Sequence, residues 1–455
     1  EHLIGLAGAG ASSGMAMAHW EIQGWMILIL GWVFVPFYSR SMVYTMPEFL
    51  ERRYNPQSRT ILSVISLVSY VLTKVAVTVY AGGLVFQQVF GIKELWGIDF
   101  FWIAAIGLVV LTALYTIFGG MKSVLYTSVL QTPILLLGSL IILVLGFKEL
   151  GGWDEMMRVC GAVTVNDYGD TMTNLIRSND DANFPWLGAL IGSAIIGFWY
   201  WCTDQFIVQR VLSGKNEMEA RRGTIFGAYL KLLPVFLFLI PGMIAFALHQ
   251  KYIGAGGEGF LPMLANGTAN ADAAFPTLVA KLLPAGVKGL VVCGILAALM
   301  SSLASLFNSS AMLFTIDFYK RFRPETPEKK LVGIGQVATV VIVILGILWI
   351  PIMRSVGDVL YTYLQDVQSV LAPGIAAAFL LGICWKRTSA QGGMWGLIAG
   401  MVIGLTRLGA KVYYSNAGEV ADSTFKYLFY DMNWLFFCGW MFLFLSLIHI
   451  SEPTR

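Results

Sequence analysis

Residues 101–118 read FWIAAIGLVVLTALYTIF, and residues 129–147 read VLQTPILLLGSLIILVLGF. Each run is close to the length of about 20 apolar residues that crosses a bilayer as a helix. Their apolar residues do not alternate with polar ones, as they would in the strands of a membrane barrel. Because only helices and closed barrels satisfy their backbone groups in lipid, these runs predict membrane-spanning helices.

Similar apolar runs recur along the whole chain. Apolar residues make up 57% of the 455 positions and charged residues 13%, against about 25% charged in an ordinary soluble domain. This composition predicts an all-α polytopic protein of the plasma or inner membrane, with the lipid bilayer as its partner. We expect about twelve spans, with the first and last incomplete: the start to residue 17, then 19–39, 60–90, 101–118, 123–147, 185–211, 223–249, 287–319, 331–351, 359–385, 392–410 and 428–444.

Basic residues cluster in every second loop between the predicted spans. The loop 148–184 lies between two of these basic loops and is acidic. By the positive-inside rule, the basic loops face the cytoplasm and the acidic loop faces outward. The basic set is Arg40, Arg52, Arg53, Arg59, Lys122, Arg210, Lys215, Arg221, Arg222, Lys320, Arg321, Arg323, Lys329, Lys330, Lys386 and Arg387.

The spans divide into two halves around the acidic loop. Five spans precede it, and five follow it before two extra spans at the end of the chain. An odd number of spans per half gives the two halves opposite orientations. Inverted repeats of this kind are a known transporter plan, with the binding sites at the bilayer midplane between the halves. The expected units are a first half at 1–149, an outer loop at 150–184, a second half at 185–387, additional helices at 388–444, and a tail at 445–455 that resembles translated sequencing-adapter DNA and is left out of the fold prediction.

Several predicted spans contain ionisable residues, and Glu21, Asp204, Lys231 and Asp366 are considered as candidate site residues. Such residues are rare in lipid and mark functional sites by default. The alternative for each is a structural role, either near a helix end or in an internal ion pair. Opposite charges that line one cavity would offset each other and could hydrogen-bond the hydroxyl groups of a solute.

Two polar stretches within spans suggest binding sites. The stretch 197–205, GFWYWCTDQ, offers flat rings on which a sugar can stack, although an aromatic belt at the membrane interface would look similar. The stretch 296–310, LAALMSSLASLFNSS, places the carbonyl of Ala298 and the hydroxyls of Ser301 and Ser302 on one side of a helix. Hard cations bind such oxygens, but serines also bond back to helix carbonyls and small residues favour close packing.

Other sites are not supported by the sequence. The stretch Gly8-x-Gly10 has Ser13 where a dinucleotide-binding loop needs a third glycine, and close helix packing explains it better. The five cysteines show no metal-binding or disulfide spacing. The chain has no Ser–His–Asp set, phosphate loop or metal cluster, so we expect no enzyme, no organic cofactor and no nucleic-acid partner.

Seven segments, taken in order, resemble the sodium/solute symporter family, and its sodium/glucose and bacterial sodium/galactose cotransporters in particular. The resemblance implies a LeuT-type fold of two inverted five-helix repeats and uptake of a hexose such as glucose or galactose, driven by co-transported sodium. An inositol, another small solute, or a sugar sensor or sodium leak on the same fold are the alternatives. The segments are HLIGLAGAGASSG (2–14), TMPEFLERRY (45–54), ALYTIFGGMKSV (113–124), WYWCTDQFIVQR (199–210), YLKLLP (229–234), LMSSLASLFNSS (299–310) and FLLGICWKR (379–387).

The resemblance also implies roles for individual residues. Tyr200 and Trp201 match the aromatic pair that floors and gates the sugar. Tyr115 matches a tyrosine near the sodium site. The remaining matches are His2, Glu21, Lys231 and Gln365 for the sugar, and Ala298, Ser301 and Ser302 for sodium, whose other ligands in the family are carbonyls that would lie just upstream of Glu1.

Several positions depart from the pattern of the family. Ser128, a residue that could support the sodium site, stands where sugar-transporting relatives usually carry aspartate. Gly197 replaces a polar residue and Gln368 replaces a threonine at the sugar cavity, so the resemblance leaves an inositol open. Ala304 stands where relatives with a second sodium site have threonine.

The resemblance therefore predicts that one sodium ion moves with each solute molecule, because Ala304 lacks the hydroxyl that a second site needs. Parallel fluxes of labelled sodium and labelled solute into proteoliposomes measure this ratio. Two sodium ions per solute would contradict the prediction.

Overall fold

A computed structural model gives the structure of the chain, and it describes residues 2–43, 45–264, 267–356, 360–416 and 421–450. Within these ranges, the side chains of residues 115, 117–125, 127, 130, 353–356, 361, 362, 416 and 450 are not described. The described part is almost entirely helical, as the sequence predicts. Its one sheet is a short antiparallel hairpin of β1 (Glu94–Leu95) and β2 (Ile98–Asp99).

The first nine helices lie before and within the outer loop. In chain order they are α1 (His2–Ser13), α2 (Ala16–Trp20), α3 (Met26–Ile29), α4 (Val35–Ser41), α5 (Met46–Arg53), α6 (Pro56–Ser69), α7 (Ala76–Phe90), α8 (Phe100–Leu150) and α9 (Trp153–Gly161).

The second half and the additional helices follow. They are α10 (Trp186–Gly197), α11 (Gln205–Leu212), α12 (Glu217–Leu230), α13 (Ile240–Gly254), α14 (Ala274–Leu282), α15 (Ala285–Met312), α16 (Lys320–Phe322), α17 (Glu328–Val356), α18 (Leu360–Cys384), α19 (Ala390–Asn416), α20 (Thr424–Lys426) and α21 (Trp434–Ile450).

Short π-helical and 3₁₀-helical segments join many of these helices. The π-helical turns are wider than those of an α-helix, and such turns are frequently found at functional sites. The 3₁₀ segments are Glu21–Trp25 and Ala271–Ala273, and the π segments are Leu30–Phe34, Tyr70–Val75, Phe198–Thr203, Val235–Leu239, Leu313–Tyr319 and Tyr427–Asp431.

The predicted spans correspond to helices in the described residues. Nine helices are long and apolar enough to cross a membrane, and a bent pair supplies a tenth. The two other predicted spans correspond to α1, which has 12 residues, and to the apolar stretch Phe100–Leu114. The chain is therefore a multi-pass membrane protein.

Two details of the predicted spans are wrong. We predicted a loop around Lys122, but the backbone of α8 is helical for 51 residues. Two of the predicted spans therefore lie in this one helix, as the apolar stretches Phe100–Leu114 and Gln131–Leu150. The helix continues even past Pro133, which lies inside it.

The last span also begins later than residue 428. The segments Thr424–Asp431 and Trp434–His449 meet at an angle of 109°. Asn433 starts the second helix, since its side-chain oxygen accepts a hydrogen bond of 2.8 Å from the amide of Leu435. Helix α21 continues to Ile450, so residues 445–450 extend the last helix although they were left out of the fold prediction. Residues 451–455 lie outside the described part.

Helix α1 packs backbone to backbone against the second half. A Cβ on Gly10 would lie 2.3 Å from the carbonyl oxygen of Leu239, and a Cβ on Gly242 would lie 2.0 Å from that of Ala7. Close helix packing therefore explains the glycine-rich stretch, as the sequence predicts.

The outer loop covers the end of α1. The amide of Met15 donates a hydrogen bond of 2.8 Å to the carbonyl of Met172. The buried guanidinium of Arg177 donates to the carbonyl of Ser13 and pairs with Asp181 at 3.3 Å. A cation suits the negative end of a helix dipole, so Arg177 fixes the loop on this helix end.

The segment that joins the spans Glu217–Gly254 and Ala285–Phe322 contains a buried carboxyl group, that of Asp272. Asp272 is 2% exposed, and its two oxygens accept hydrogen bonds of 3.2 and 2.9 Å from the amide of Leu360 at the start of α18. Burial raises the pKa of the Asp272 carboxyl from 3.8 to about 7. The folded protein therefore holds a proton there that the unfolded chain releases at lower pH.

The raised pKa predicts that stability falls as pH rises. The contribution of Asp272 is complete below pH 3.8 and is lost as the pH passes through about 7. We expect the melting temperature of the wild type in detergent to be lower at pH 8 than at pH 5.5. The melting temperature of the Asp272→Asn variant should fall less over the same range. Asp180→Asn, at an exposed aspartate of the outer loop, is the control and keeps the wild-type slope. Equal slopes in both variants would contradict the prediction.

Candidate functional site

Three ionisable side chains from separate segments meet in one cluster. The ammonium of Lys231 lies 2.5 Å from Oε2 of Glu21 and 2.7 Å from Nε2 of His2. The same His2 nitrogen lies 3.2 Å from Oε1 of Glu21. The side chains of Glu21 and Lys231 are 2% and 11% exposed, so the pair is shielded from solvent. The structure thus joins three residues that the sequence analysis assigned to the solute.

Local breaks in the helices position this cluster. Lys231 is the C-cap of α12, and Pro234 follows three residues later, where it cannot continue the hydrogen bonds of that helix. Glu21 begins the 3₁₀ turn Glu21–Trp25. In that turn Gly24 leaves room for the stem of Lys231, since a Cβ there would lie 2.6 Å from its Cγ.

The predicted aromatic pair lies on the π-helix Phe198–Thr203. The rings of Tyr200 and Trp201 have centroids 4.9 Å apart at an interplanar angle of 82°, which is an edge-to-face contact. The ammonium of Lys231 lies 5.9 Å from the centre of the Trp201 ring. The aromatic pair therefore adjoins the ionisable cluster.

A cavity of about 370 Å³ connects these residues. This volume is within the usual range for small-molecule sites, roughly 300–1,000 Å³. The lining includes His2 and Lys231 of the cluster and reaches Arg210, at the end that the charge pattern assigns to the cytoplasm. The other lining residues are Leu3, Ile4, Leu135, Tyr200, Trp201, Phe206, Ile207, Pro234, Phe238, Ile295, Ala298, Leu299 and Ser302.

Two of the three residues assigned to sodium lie on one wall of this cavity. Ala298 and Ser302 line it. The hydroxyl of Ser301 lies 2.6 Å from that of Ser128 on α8. Hydroxyl and carbonyl oxygens are suitable ligands for a hard cation. Ser128 thus meets the predicted sodium residues, although it lacks the negative charge of an aspartate.

Other predicted positions do not join the described lining. Gln365 is buried on α18, and its Oε1 has no hydrogen-bond partner among the described residues. Gln368 is buried on the same helix. Gly197 packs on the 3₁₀ turn, where a Cβ would lie 3.1 Å from the carbonyl oxygen of Gln23. The side chain of Tyr115 lies outside the described residues.

Sequence reasoning missed a buried cation beside the site. Lys74 is 2% exposed and pairs with Asp204, which accepts further hydrogen bonds from Tyr70 (2.8 Å) and from the amide of Phe206 (3.0 Å). The Lys74 ammonium also lies 4.9 Å from the centre of the Tyr200 ring. The signal was present, because Lys74 is an isolated lysine in the apolar run 60–90.

Asp204 and Asp366 have structural roles, at a helix end or in an internal ion pair, which was the alternative to a functional role for each residue. Asp204 is the N-cap of α11. Asp366 pairs with Lys411 and lies 4.0 Å from Arg407, whose side chain is 1% exposed. Both carboxylates are therefore paired within the protein.

The fold defines a class of membrane protein. It is similar to that of a Na⁺-coupled sialic acid symporter in a substrate-bound outward-open state, with a TM-score of 0.71 and 20% identity over 99% of this chain and 85% of the other. It is also similar to MhsT in complex with L-phenylalanine, with a TM-score of 0.52 and 13% identity over 98% and 94% of the two chains. These likenesses show the LeuT-type fold that the sequence predicts.

The sequence comparisons give the family. Residues 1–400 match the model of the sodium:solute symporter family, and the chain belongs to this family. It is 38% identical to human sodium/myo-inositol cotransporter 2 over 420 residues, which are 90% of this chain and 61% of that protein. It is 36% identical to zebrafish (Danio rerio) sodium/glucose cotransporter 4 over 450 residues, or 95% and 67% of the two chains. The chain thus spans about three fifths of the length of the human relative.

The cluster predicts that the free energy of unfolding depends strongly on each charge having its partner. Removing one member of a buried ion pair leaves an uncompensated charge and costs about 3–5 kcal/mol, whereas removing both costs much less. We expect Lys231→Met alone to destabilise the protein strongly and Glu21→Gln with Lys231→Met to restore most of the loss. Melting in detergent of the wild type, both single variants and the double variant completes the cycle. Additive effects would contradict the pairing.

Proposed function

We propose that the chain is a symporter that uses the sodium gradient to carry a polyhydroxylated six-membered ring, either a hexose or an inositol. The observation that carries this proposal is the shared cavity. It joins the His2–Glu21–Lys231 cluster and the aromatic pair to a wall that holds Ala298 and Ser302. An ion and a solute that share one cavity can each change the affinity of the other.

The chemistry of the cluster suits hydroxyl groups. The carboxylate of Glu21 accepts hydrogen bonds, the ammonium of Lys231 donates them, and the imidazole of His2 does either. Because these groups already pair with one another, the hydroxyls of a bound solute replace part of these contacts and compensate the charges in turn. The ring of Tyr200 or Trp201 offers an apolar surface for the C–H face of the solute.

Gln365 supplies a further argument for a polar solute. A buried amide oxygen without a partner is unfavourable, and most such groups in proteins are satisfied. Gln365 lies on α18, which packs against α1, the helix that carries His2. A solute hydroxyl that reaches Gln365 would donate the missing hydrogen bond.

Sodium is the co-transported ion in this proposal. The hydroxyls of Ser301 and Ser302 and the carbonyl of Ala298 supply its oxygen ligands on α15. Sodium changes the population of a state only through different affinities for the two states. We propose that it binds more tightly to the outward-open state and leaves on the cytoplasmic side, where its concentration is low.

The position of the cavity is consistent with a state of the transport cycle that opens toward the cytoplasm. The cavity lining reaches Arg210 on the basic side. On the opposite side, the outer loop covers the end of α1 through Met172 and Arg177. An outward-open state therefore requires this loop contact to move together with α1.

The similarity to relatives supports both solute classes. Their names include sodium/myo-inositol and sodium/glucose cotransporters. Both solutes are six-membered rings with hydroxyls around the edge, so the cluster and the aromatic pair suit either one. Gly197 and Gln368 are the two positions at which the resemblance indicates a change in the sugar cavity itself.

Uptake into proteoliposomes tests the proposal. Labelled glucose, galactose and myo-inositol are offered with an inward sodium gradient, with an inward proton gradient, and with choline in place of sodium. We expect at least one solute to accumulate above equilibrium only with sodium. Sodium current without accumulation would favour a sensor or leak, and accumulation driven by protons alone would contradict sodium coupling.

Ser302→Ala tests the assignment of the ion site. It removes one proposed sodium ligand, and we expect a several-fold higher sodium concentration for half-maximal uptake. Ser63→Ala is the matched control, because Ser63 is a buried helical serine that bonds back to the carbonyl of Arg59 at 2.8 Å. Unchanged sodium activation in Ser302→Ala would contradict the assignment.

A further inference from the structure

A groove larger than the central cavity lies on the outer surface of the helices, and its lining includes exposed apolar side chains such as Val337 and Leu345. Its volume is about 590 Å³, and its walls come from α6, the π-helices Tyr70–Val75 and Leu313–Tyr319, and α17. Eleven of its twelve lining residues are uncharged and, glycine aside, apolar. They are Leu67, Val68, Val71, Phe314, Gly333, Ile334, Val337, Ala338, Val341, Ile342 and Leu345, and the twelfth is Lys330.

The groove follows one face of α17. Its residues on that helix recur every three or four positions from Lys330 to Leu345, which is the spacing of a single helical face. The apolar part runs from Gly333 to Leu345 and rises about 18 Å. One leaflet is half of the roughly 30 Å bilayer core, so the groove is about as deep as one leaflet.

Both ends of the groove are defined. At the inner end, α17 touches the π-helix Tyr70–Val75, since a Cβ on Gly346 would lie 2.3 Å from Cγ1 of Val75. The mouth is at Lys330, two residues after α17 begins at Glu328. An occupant therefore enters from the basic side of the membrane and stops near the midplane.

The charge at the mouth favours an anion. None of the ion pairs in the described part of the chain involves Lys330. The segment 320–330 contains Lys320, Arg321, Arg323, Lys329 and Lys330 against Glu325 and Glu328, so its net charge is positive. Basic clusters on the cytoplasmic side attract acidic lipid headgroups.

A second groove on the adjacent face of α17 offers a comparison. It has a similar volume of about 570 Å³, but its lining includes Glu328 as well as Lys320, and polar side chains such as Asn308 and Gln336. An anionic headgroup would meet a carboxylate there, and an acyl chain would meet amides. Only the first groove combines an apolar wall with a cation that lacks an acidic partner among the described residues.

We propose that the first groove binds one acidic phospholipid of the cytoplasmic leaflet. An acyl chain fills the groove from Gly333 to Leu345, and the phosphate lies against the ammonium of Lys330. The lipid also contacts Val71 on the π-helix that carries Lys74, whose ammonium lies over the ring of Tyr200. The bound lipid therefore supports the segment that adjoins the central cavity.

Native mass spectrometry of the purified full chain tests this proposal. The protein is released from detergent in the presence of phosphatidylglycerol or phosphatidylcholine. We expect the wild type to retain one phosphatidylglycerol molecule at activation energies that remove phosphatidylcholine. Lys330→Gln should retain several-fold less of it, and Lys329→Gln, an exposed neighbour that does not line the groove, should retain as much as the wild type.

Ala338→Phe separates the acyl chain from the headgroup. This variant fills the groove and keeps Lys330, so we expect it to lose phosphatidylglycerol as well. Soluble glycerol phosphate should not compete, because it has no acyl chain. Equal retention of both lipids by the wild type, or equal retention by the Lys330→Gln and Lys329→Gln variants with matching melting temperatures, would overturn the proposal.

Discussion

The pairing of Glu21 with Lys231 is the contact on which the rest of the site depends. A charged side chain within a bilayer is expensive, and it is retained only where another group compensates it. Here a carboxylate, an ammonium and an imidazole compensate one another within 3.2 Å. Their segments are far apart in the sequence, so the fold must bring α1, the turn Glu21–Trp25 and the end of α12 together. This arrangement gives the protein a polar site that apolar residues surround.

The same constraint explains where the helices are irregular. Lys231 lies at a helix end, Glu21 in a 3₁₀ turn, and Tyr200 and Lys74 on π-helices. A regular helix satisfies its own backbone and presents side chains at fixed angles. Local breaks free backbone groups and redirect side chains, and such breaks are tolerated at membrane depth where protein or a cavity surrounds them.

Much of the fold could be predicted from the sequence. Apolar runs and alternating charge predicted helical structure at each of the twelve spans, although two of them lie in the single helix α8. Both signals follow directly from the cost of polar groups in lipid. The continuous helix α8 could not be predicted, since a basic residue such as Lys122 indicates a loop and yet has good helix propensity. The bend before Trp434 depends on the cap at Asn433, which is a local feature that hydropathy does not detect.

The candidate site was predicted in part. The rule for ionisable residues in spans identified Glu21 and Lys231, but it identified Asp204 and Asp366 equally well, and these are paired structurally. Only the contacts in the three-dimensional structure distinguish residues of the candidate site from carboxylates that are paired structurally. The family resemblance added His2, which the residues alone did not indicate. Lys74 was missed, and Asp272 lies outside the spans to which the rule applies.

The most direct test of the account is equilibrium binding of labelled hexose and labelled myo-inositol to the purified chain in sodium and in choline. The account predicts that sodium tightens the binding of at least one solute by roughly 5–150-fold, the usual range of coupling between two sites. It also predicts that the double variant Glu21→Gln with Lys231→Met folds but loses this binding. Binding that does not respond to sodium, or that survives in the double variant, would contradict the central claim that the cluster is the solute site.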